Sequence, residues 1–335
     1  MKLSTQQICS VALGSVRVQE TKKGVRLYRF TEQQEELYRQ VSEDFGQKAC
    51  AASGMKLQFR TDSENLLLKV NVSRGSSRNY FSFDVVADGK PVGYLNNYDE
   101  AKMTGNYTQA ALLLGEYEGS FLLGEGMKTV CVYLPWSVAV EILELSLDDG
   151  ALIEPVRPAK KVLMFGDSIT QGYDALHPSC RYAARLAEYL EAEEINKGIG
   201  GERFFPALAK LRDDFTPDYI TVAYGTNDWS GTEEADFYER CSAFYGALVQ
   251  NYPDTPIFAI TPIWREDYEA EKPFGDFSKV EKDIREIVGK YENITCIRGF
   301  DFVPREARYF GDLRLHPNDE GFARYFESLK KRVKF

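Results

Sequence analysis

The sequence predicts an α/β protein in two parts: an all-β sandwich or jelly roll over residues 1–155, followed by a parallel-sheet α/β domain over residues 156–335. Three observations carry that expectation. Through the first part, apolar and polar residues alternate with period two, as in Lys56-Leu57-Gln58-Phe59-Arg60. From residue 161 onward, short apolar runs alternate with segments of helical spacing. Between them lies Glu154-Pro155-Val156-Arg157-Pro158-Ala159-Lys160-Lys161, whose two prolines and basic run mark a break in composition.

A chain of 335 residues is too long for one ordinary core and suits two domains. Its 44% hydrophobic and 27% charged fractions are those of a globular chain. Met1-Lys2-Leu3-Ser4-Thr5-Gln6-Gln7 has no apolar leader pattern, and no later stretch reaches the roughly 18 apolar residues of a membrane span, so a cytoplasmic protein is expected. The six cysteines are far apart with no C-x-x-C pair; Cys131, Cys241 and Cys296 fall in apolar patterns and read as buried thiols. A net charge of -10 argues against nucleic acid or an anionic membrane surface as partner and favours neutral or cationic substrates.

Within the first part, Leu66-Leu67-Leu68-Lys69-Val70-Asn71-Val72, Phe81-Ser82-Phe83-Asp84-Val85 and Leu143-Glu144-Leu145-Ser146-Leu147 repeat the strand alternation. Asp88-Gly89, set between Val85-Val86-Ala87 and Lys90-Pro91-Val92, is a hairpin turn that calls for positive φ. Residues 31–45, with Glu35, Leu37 and Val41 on a polar background, are compatible with a short helix or a surface segment. Neither histidine of the chain falls in this part, so it offers no catalytic constellation. Tyr94, Tyr98 and Trp136 fit either a sugar-stacking platform or the core of a β domain.

In the second part, strands are expected at residues 162–166, 219–225, 257–261 and 294–297. Helical spacing recurs in Phe237, Cys241, Phe244 and Leu248, in Val280, Ile284, Ile287 and Tyr291, and in Phe322, Phe326, Leu329 and Val333. Right-handed crossovers put the carboxyl ends of such strands on one rim, where open α/β sheets place their chemistry. Ser168, after Gly166-Asp167, and Asn227, after Gly225-Thr226, therefore share an edge.

A serine hydroxyl is a poor nucleophile at neutral pH, so acyl transfer there needs an imidazole base and donors for the developing oxyanion. Only His177 and His316 can supply the imidazole. His177 sits in a loop-like stretch close behind Ser168; His316 precedes Asn318-Asp319-Glu320-Gly321, a good helix start. Gly198, Gly200 and Gly201 read as a flexible turn or as a loop whose backbone approaches a substrate, with Asn196 placed to fix it by side-chain hydrogen bonds. Trp229 and Trp264 follow strand ends, as substrate-facing indoles or as helix–sheet packing. No His, Cys, Asp or Glu spacing suggests a metal.

Four blocks, in order, resemble those of the SGNH (GDSL-type) esterase and acylhydrolase superfamily: Gly166-Asp167-Ser168-Ile169, Asn196-Lys197-Gly198-Ile199-Gly200-Gly201, Gly225-Thr226-Asn227-Asp228 and His316-Pro317-Asn318. The resemblance implies a three-layer, flavodoxin-like α/β/α sheet, with Ser168 as nucleophile and His316 rather than His177 as base. By position it makes the Ser168 N–H, the Gly201 N–H and the Asn227 amide the oxyanion donors. One departure stands out. The family carboxylate lies three residues before the histidine, where this chain has Leu313, and Asp312 lies four before. Either a one-residue bulge brings Asp312 to the imidazole or another group orients His316. With a β-sandwich in front, the chain resembles carbohydrate esterases, which implies a small-molecule or oligosaccharide ester substrate, short (acetyl) acyl groups on sugar hydroxyls, and neither metal nor cofactor. Alternatives are a lysophospholipase, thioesterase or general short-chain esterase, or a carbohydrate-binding protein with a decayed hydrolase domain.

Overall fold

The computed structural model describes residues 1–333. It divides into two compact units: Met1–Ala159 with Leu176–Ser179 and Glu193–Ile195, and Lys160–Ala175 with Cys180–Ala192 and Asn196–Phe335.

The first unit is built on two antiparallel sheets. One orders Ala12–Leu13, Lys56–Thr61, Lys128–Tyr133, Ser82–Ala87 and Lys90–Asn96, with Glu154–Pro155 added beside Lys56–Thr61. The other orders Arg17–Glu20, Val25–Tyr28, Val138–Leu147, Asn65–Arg74 and Gly115–Leu122. Alternation in the sequence becomes a buried face: Leu66, Leu68, Val70 and Val72 of one strand join Phe59, Val85, Val132 and Val140 in a single apolar cluster. Each such side chain contributes about 1.5–3 kcal/mol through burial. Asp88 and Gly89 take φ of 47° and 75°, the positive values that the expected hairpin requires.

Residues 31–45 resolve into helix. Glu32–Val41 starts from a capping box in which Thr31 and Gln34 satisfy each other's backbone N–H, and Glu43–Ala49 follows. The inner face of the first helix is Gln34, Glu35 and Tyr38, with the Glu35 carboxylate 2.8 Å from both Arg17 and Arg39. Trp136 is buried against Tyr80, so it is a core residue and not a platform; Tyr98 is half-buried and donates to the Leu176 carbonyl.

The third sheet has five strands: β1 (Lys160–Gly166), β2 (Ala192–Asn196), β3 (Tyr219–Ala223), β4 (Ile257–Ile260) and β5 (Ile294–Ile297). Their order is 2-1-3-4-5, with β1, β3, β4 and β5 paired in parallel. This is the order whose switch point lies between β1 and β3, at the carboxyl ends. Met164, Phe165, Ile220, Val222, Ala259 and Ile260 bury the strands, and the helices Glu234–Asn251, Ser278–Val288 and Asp319–Arg332 cover them with Phe244, Leu248, Ile284, Phe322 and Leu329. Tyr291 and Val333 lie just past the helices to which their spacing pointed. Cys131 and Cys241 are buried, Cys296 is half-buried, and none of the six cysteines is in a disulfide. No helix of the described residues is long and apolar enough to cross a membrane.

Candidate active site

β1 ends at Gly166, and the chain turns at once into the short helix Ser168–Gln171. Asp167 caps that turn by accepting from the Ile169 N–H at 2.9 Å, and Gly172 closes it at φ 111°. A side chain at Gly172 would run into Arg181, so both its φ and its neighbour demand glycine. The turn fixes the Ser168 hydroxyl, whose Oγ lies 2.8 Å from His316 Nε2.

His316 belongs to the irregular segment before the last helix. The ring's other nitrogen, Nδ1, is 2.7 Å from Asp312 Oδ2, so the four-residue spacing does deliver the carboxylate. The device is backbone: Leu313 adopts φ 63°, the left-handed region that a leucine enters only at a cost. The extra residue is thereby folded out, and Asp312 Oδ1 accepts the N–H groups of Arg314, Leu315 and His316 at 3.0, 2.8 and 3.0 Å. Burial alone would raise the Asp312 carboxyl. The hydrogen bond and charge of His316, with the backbone donors, outweigh it and hold the group well below the usual carboxylate range. The segment's ends are tied as well: Gly311 N–H donates to the His316 carbonyl, and Arg314 pairs with Asp267 at 3.1 Å.

The glycine block runs on from β2. Asn196 donates to the Thr170 carbonyl and accepts from the Gly198 N–H, each at 2.8 Å, while the Gly200 N–H donates to Gln171 Oε1. Gly201 stands at φ 86°. Next in line, Glu202 turns its backbone carbonyl to Asn227 Nδ2 at 2.9 Å. An amide has two N–H groups, so this bond fixes the Asn227 side chain and leaves a second donor. Asn227 itself rides on Thr226–Gly231, held from beneath by Arg265, which donates to the Thr226 carbonyl and to the Thr226 and Ser230 hydroxyls. The same guanidinium lies 4.8 Å from the Trp229 ring and pairs with Asp267 at 2.6 Å.

Two buried carboxyls flank these blocks. Burial pushes Asp167 up to about 6 and Asp228 up to about 7, the latter despite the Phe204 N–H it accepts and with help from the nearby Asp167 charge.

The structure thus brings Ser168, His316 and Asp312 into one hydrogen-bonded line, and ties the Gly201 turn to Asn227 through Glu202. His177 belongs to the first unit: its ring is 3.2 Å from Asp84 and lies tilted against Tyr94, 4.2 Å between centroids. Trp229 is wholly buried and donates to the Gly275 carbonyl; Trp264 packs on Phe310. Both are packing residues, because each indole already has a ring or cation on its face.

Asp174 escaped the sequence reading. Asp174 is fully buried, at φ 70°, with Oδ2 3.6 Å from His316 Nδ1. Its sequence signal was slight: an acid one turn beyond the serine block. Asp174, Asp312 and His316 are a group that could in principle hold a metal, with ligand atoms within 4.8 Å of one another. The 2.7 Å contact between Nδ1 and Oδ2 is that of a hydrogen bond, with no room for a cation between the two.

Residues 164–324 match the GDSL-like Lipase/Acylhydrolase family. Among solved structures, a salicylyl-acyltransferase, SsfX3, from a tetracycline biosynthetic pathway is 20% identical with a TM-score of 0.75, over 96% of this chain and 93% of its own. A family two carbohydrate esterase from Clostridium thermocellum, solved with cellohexaose, is 15% identical with a TM-score of 0.66, covering 96% and 97%. An acetyl xylan esterase, Est2A, from the rumen bacterium Butyrivibrio proteoclasticus is 16% identical with a TM-score of 0.60, covering 99% and 97%. At these identities the likeness is one of fold. No curated protein sequence matches the chain.

Proposed function

We propose that this ester hydrolase, whose residues 164–324 match the GDSL-like lipase/acylhydrolase family, cleaves short acyl esters, acetyl above all, from carbohydrate hydroxyls by way of a Ser168 acyl-enzyme. The observation that carries this reading is the line Ser168 Oγ, His316 Nε2, His316 Nδ1, Asp312 Oδ2, with contacts of 2.8 and 2.7 Å.

In this mechanism Nε2 takes the Ser168 proton as Oγ adds to the acyl carbonyl carbon, and the resulting imidazolium keeps its Nδ1–H on Asp312. The oxyanion is met by the Ser168 and Gly201 N–H groups and the second N–H of Asn227. Collapse expels the sugar alkoxide, which takes the proton from Nε2. Water then adds to the acyl carbon as Nε2 takes its proton, and collapse breaks the bond to Ser168 Oγ, which recovers that proton while the carboxylic acid is released. A pure sugar binder would need no such nucleophile and base. The acetyl and sugar preferences draw on the two-part layout shared with the carbohydrate esterases, and a net charge of -10 accords with uncharged alcohols. Six cysteines outside any disulfide accord with a reducing, cytoplasmic setting.

The test has two arms. Treatment with a fluorophosphonate followed by peptide mass mapping should place the adduct on Ser168; label on another serine of active enzyme overturns the assignment. Acetylated sugars should be hydrolysed with higher kcat/KM than aryl esters of rising chain length. Preference for long chains or thioesters, or acyl transfer without release of free acid, overturns the substrate class.

A further inference from the structure

We propose that Asp174 is a second carboxylate partner of the His316 imidazole, a positioning residue that stabilises the imidazolium by charge and takes over as Nδ1–H acceptor when Asp312 is removed. The inference rests on the reading of His316 as the base for Ser168.

The placement of Asp174 is specific. Its Oδ2 lies 3.6 Å from Nδ1, beyond a normal hydrogen bond but within reach of a small ring shift, while Asp312 Oδ2 holds the direct position at 2.7 Å. It is wholly buried, and it reaches its place through a backbone of φ 70°, a conformation that non-glycine residues avoid. The turn that imposes this φ is the serine turn itself: the Tyr173 N–H donates to the Ser168 carbonyl and the Ala175 N–H to that of Gly172. Asp174 therefore stands on the segment that carries the nucleophile, and Asp312 on the segment that carries the base. The ring is enclosed from both sides. Asp312 faces it from its own segment, while Ser168, Asp174 and Tyr173, whose ring centroid is 5.4 Å away, face it from the serine turn. The buried Asp167 also feels its charge. The guanidinium of Arg265 acts on Asp167 as well.

Two negative charges near one ring nitrogen favour the cationic ring, which exists in each transition state and not in the resting base. One N–H can use only one acceptor at a time, so the Asp174 contribution is mostly Coulombic while Asp312 is present and becomes a hydrogen bond when it is absent. Losing Asp174 should consequently matter little in the wild type and much in the Asp312→Ala background. A loop-stabilising aspartate would cost the same in both.

The experiment is a double-mutant cycle read separately in kcat and KM on an acetyl aryl ester. Asp174→Asn alone is expected to lower kcat by less than about tenfold with KM unchanged, because the imidazolium it stabilises exists only in the transition states. Asp312→Ala should lower kcat about 100-fold, and adding Asp174→Asn to it should lower kcat at least about 30-fold further. Equal losses from Asp174→Asn in both backgrounds, or a loss carried by KM and not by kcat, overturn the proposal. If Asp174→Asn does not fold, Asp312→Ala decides with Asp174 intact. A rate well above that of His316→Ala supports a substitute acceptor, and a rate equal to it overturns the proposal. Ser168→Ala and His316→Ala test the underlying reading separately, since activity in either removes the base assignment whatever Asp174 does.

Discussion

Replacing Asp228 with asparagine separates charge from shape at the asparagine block. Its Oδ1 accepts the Phe204 N–H at 3.2 Å, and its Oδ2 is buried without a hydrogen-bond partner among the described residues. Asparagine keeps the acceptor and the volume but cannot ionise. The wild-type carboxyl, raised from 3.8 to about 7 by burial, holds its proton more tightly in the folded state than in the unfolded chain. Between those two values the folded state binds more protons, so stability falls as pH rises; below about 4 nothing is lost, and above about 7 the loss is complete. At about 1.4 kcal/mol per pH unit, that interval corresponds to about 4 kcal/mol. Any fixed cost of burying the amide is the same at every pH and cancels from the comparison. Urea unfolding of both proteins at pH 4.5, 6 and 8, followed by tryptophan fluorescence, measures the gap; Trp229 and Trp264 report from this unit. The gap should move toward the variant by about 3–4 kcal/mol across the range. A gap constant to within about 1 kcal/mol would falsify the ionisation assigned to Asp228.

Other outcomes follow from the same geometry. Asn227→Ala, folded, should lower kcat about 100- to 1000-fold with little change in KM, as read from steady-state kinetics; near-native kcat counts against the donor role. Asp312→Asn should be worse than Asp312→Ala, with a loss of about 10,000-fold. Three backbone N–H groups hold Oδ1, so the new NH2 must face Nδ1 and leave the proton on Nε2, the wrong tautomer for a base. The reverse ranking refutes that orientation. Leu313→Gly should keep kcat within about threefold, because φ 63° is free to glycine, whereas Leu313→Val should destabilise by about 1–2 kcal/mol in a thermal melt and lower kcat.

Strand periods and the order of apolar runs were legible because burial acts on alternate residues of the sandwich and on whole runs of the parallel sheet. The helix Glu32–Val41 was not, since its inner face is Gln34, Glu35 and Tyr38, and a polar face held by arginines has no hydrophobic period. In the site, Ser168, Asn227 and His316 were found from short motifs at strand and helix ends, where spacing along the chain is local. The fate of Asp312 turned on the φ of one leucine, which composition does not encode. Asp174 and Arg265 act across segments far apart in sequence, and Trp229 could be placed only once its neighbours were known.

The position of Asp267 has a consequence for thermal behaviour. This one carboxylate grips Arg265, which supports the asparagine block, and Arg314, which anchors the histidine segment; the Glu266 N–H donates to the Arg314 carbonyl alongside. The Arg314 side chain is half exposed, and its segment has no sheet or helix to hold it. Such ties loosen at a lower temperature than a packed sheet does. Warming should therefore silence the enzyme by detaching His316 while far-UV dichroism is unchanged, and cooling should restore the rate.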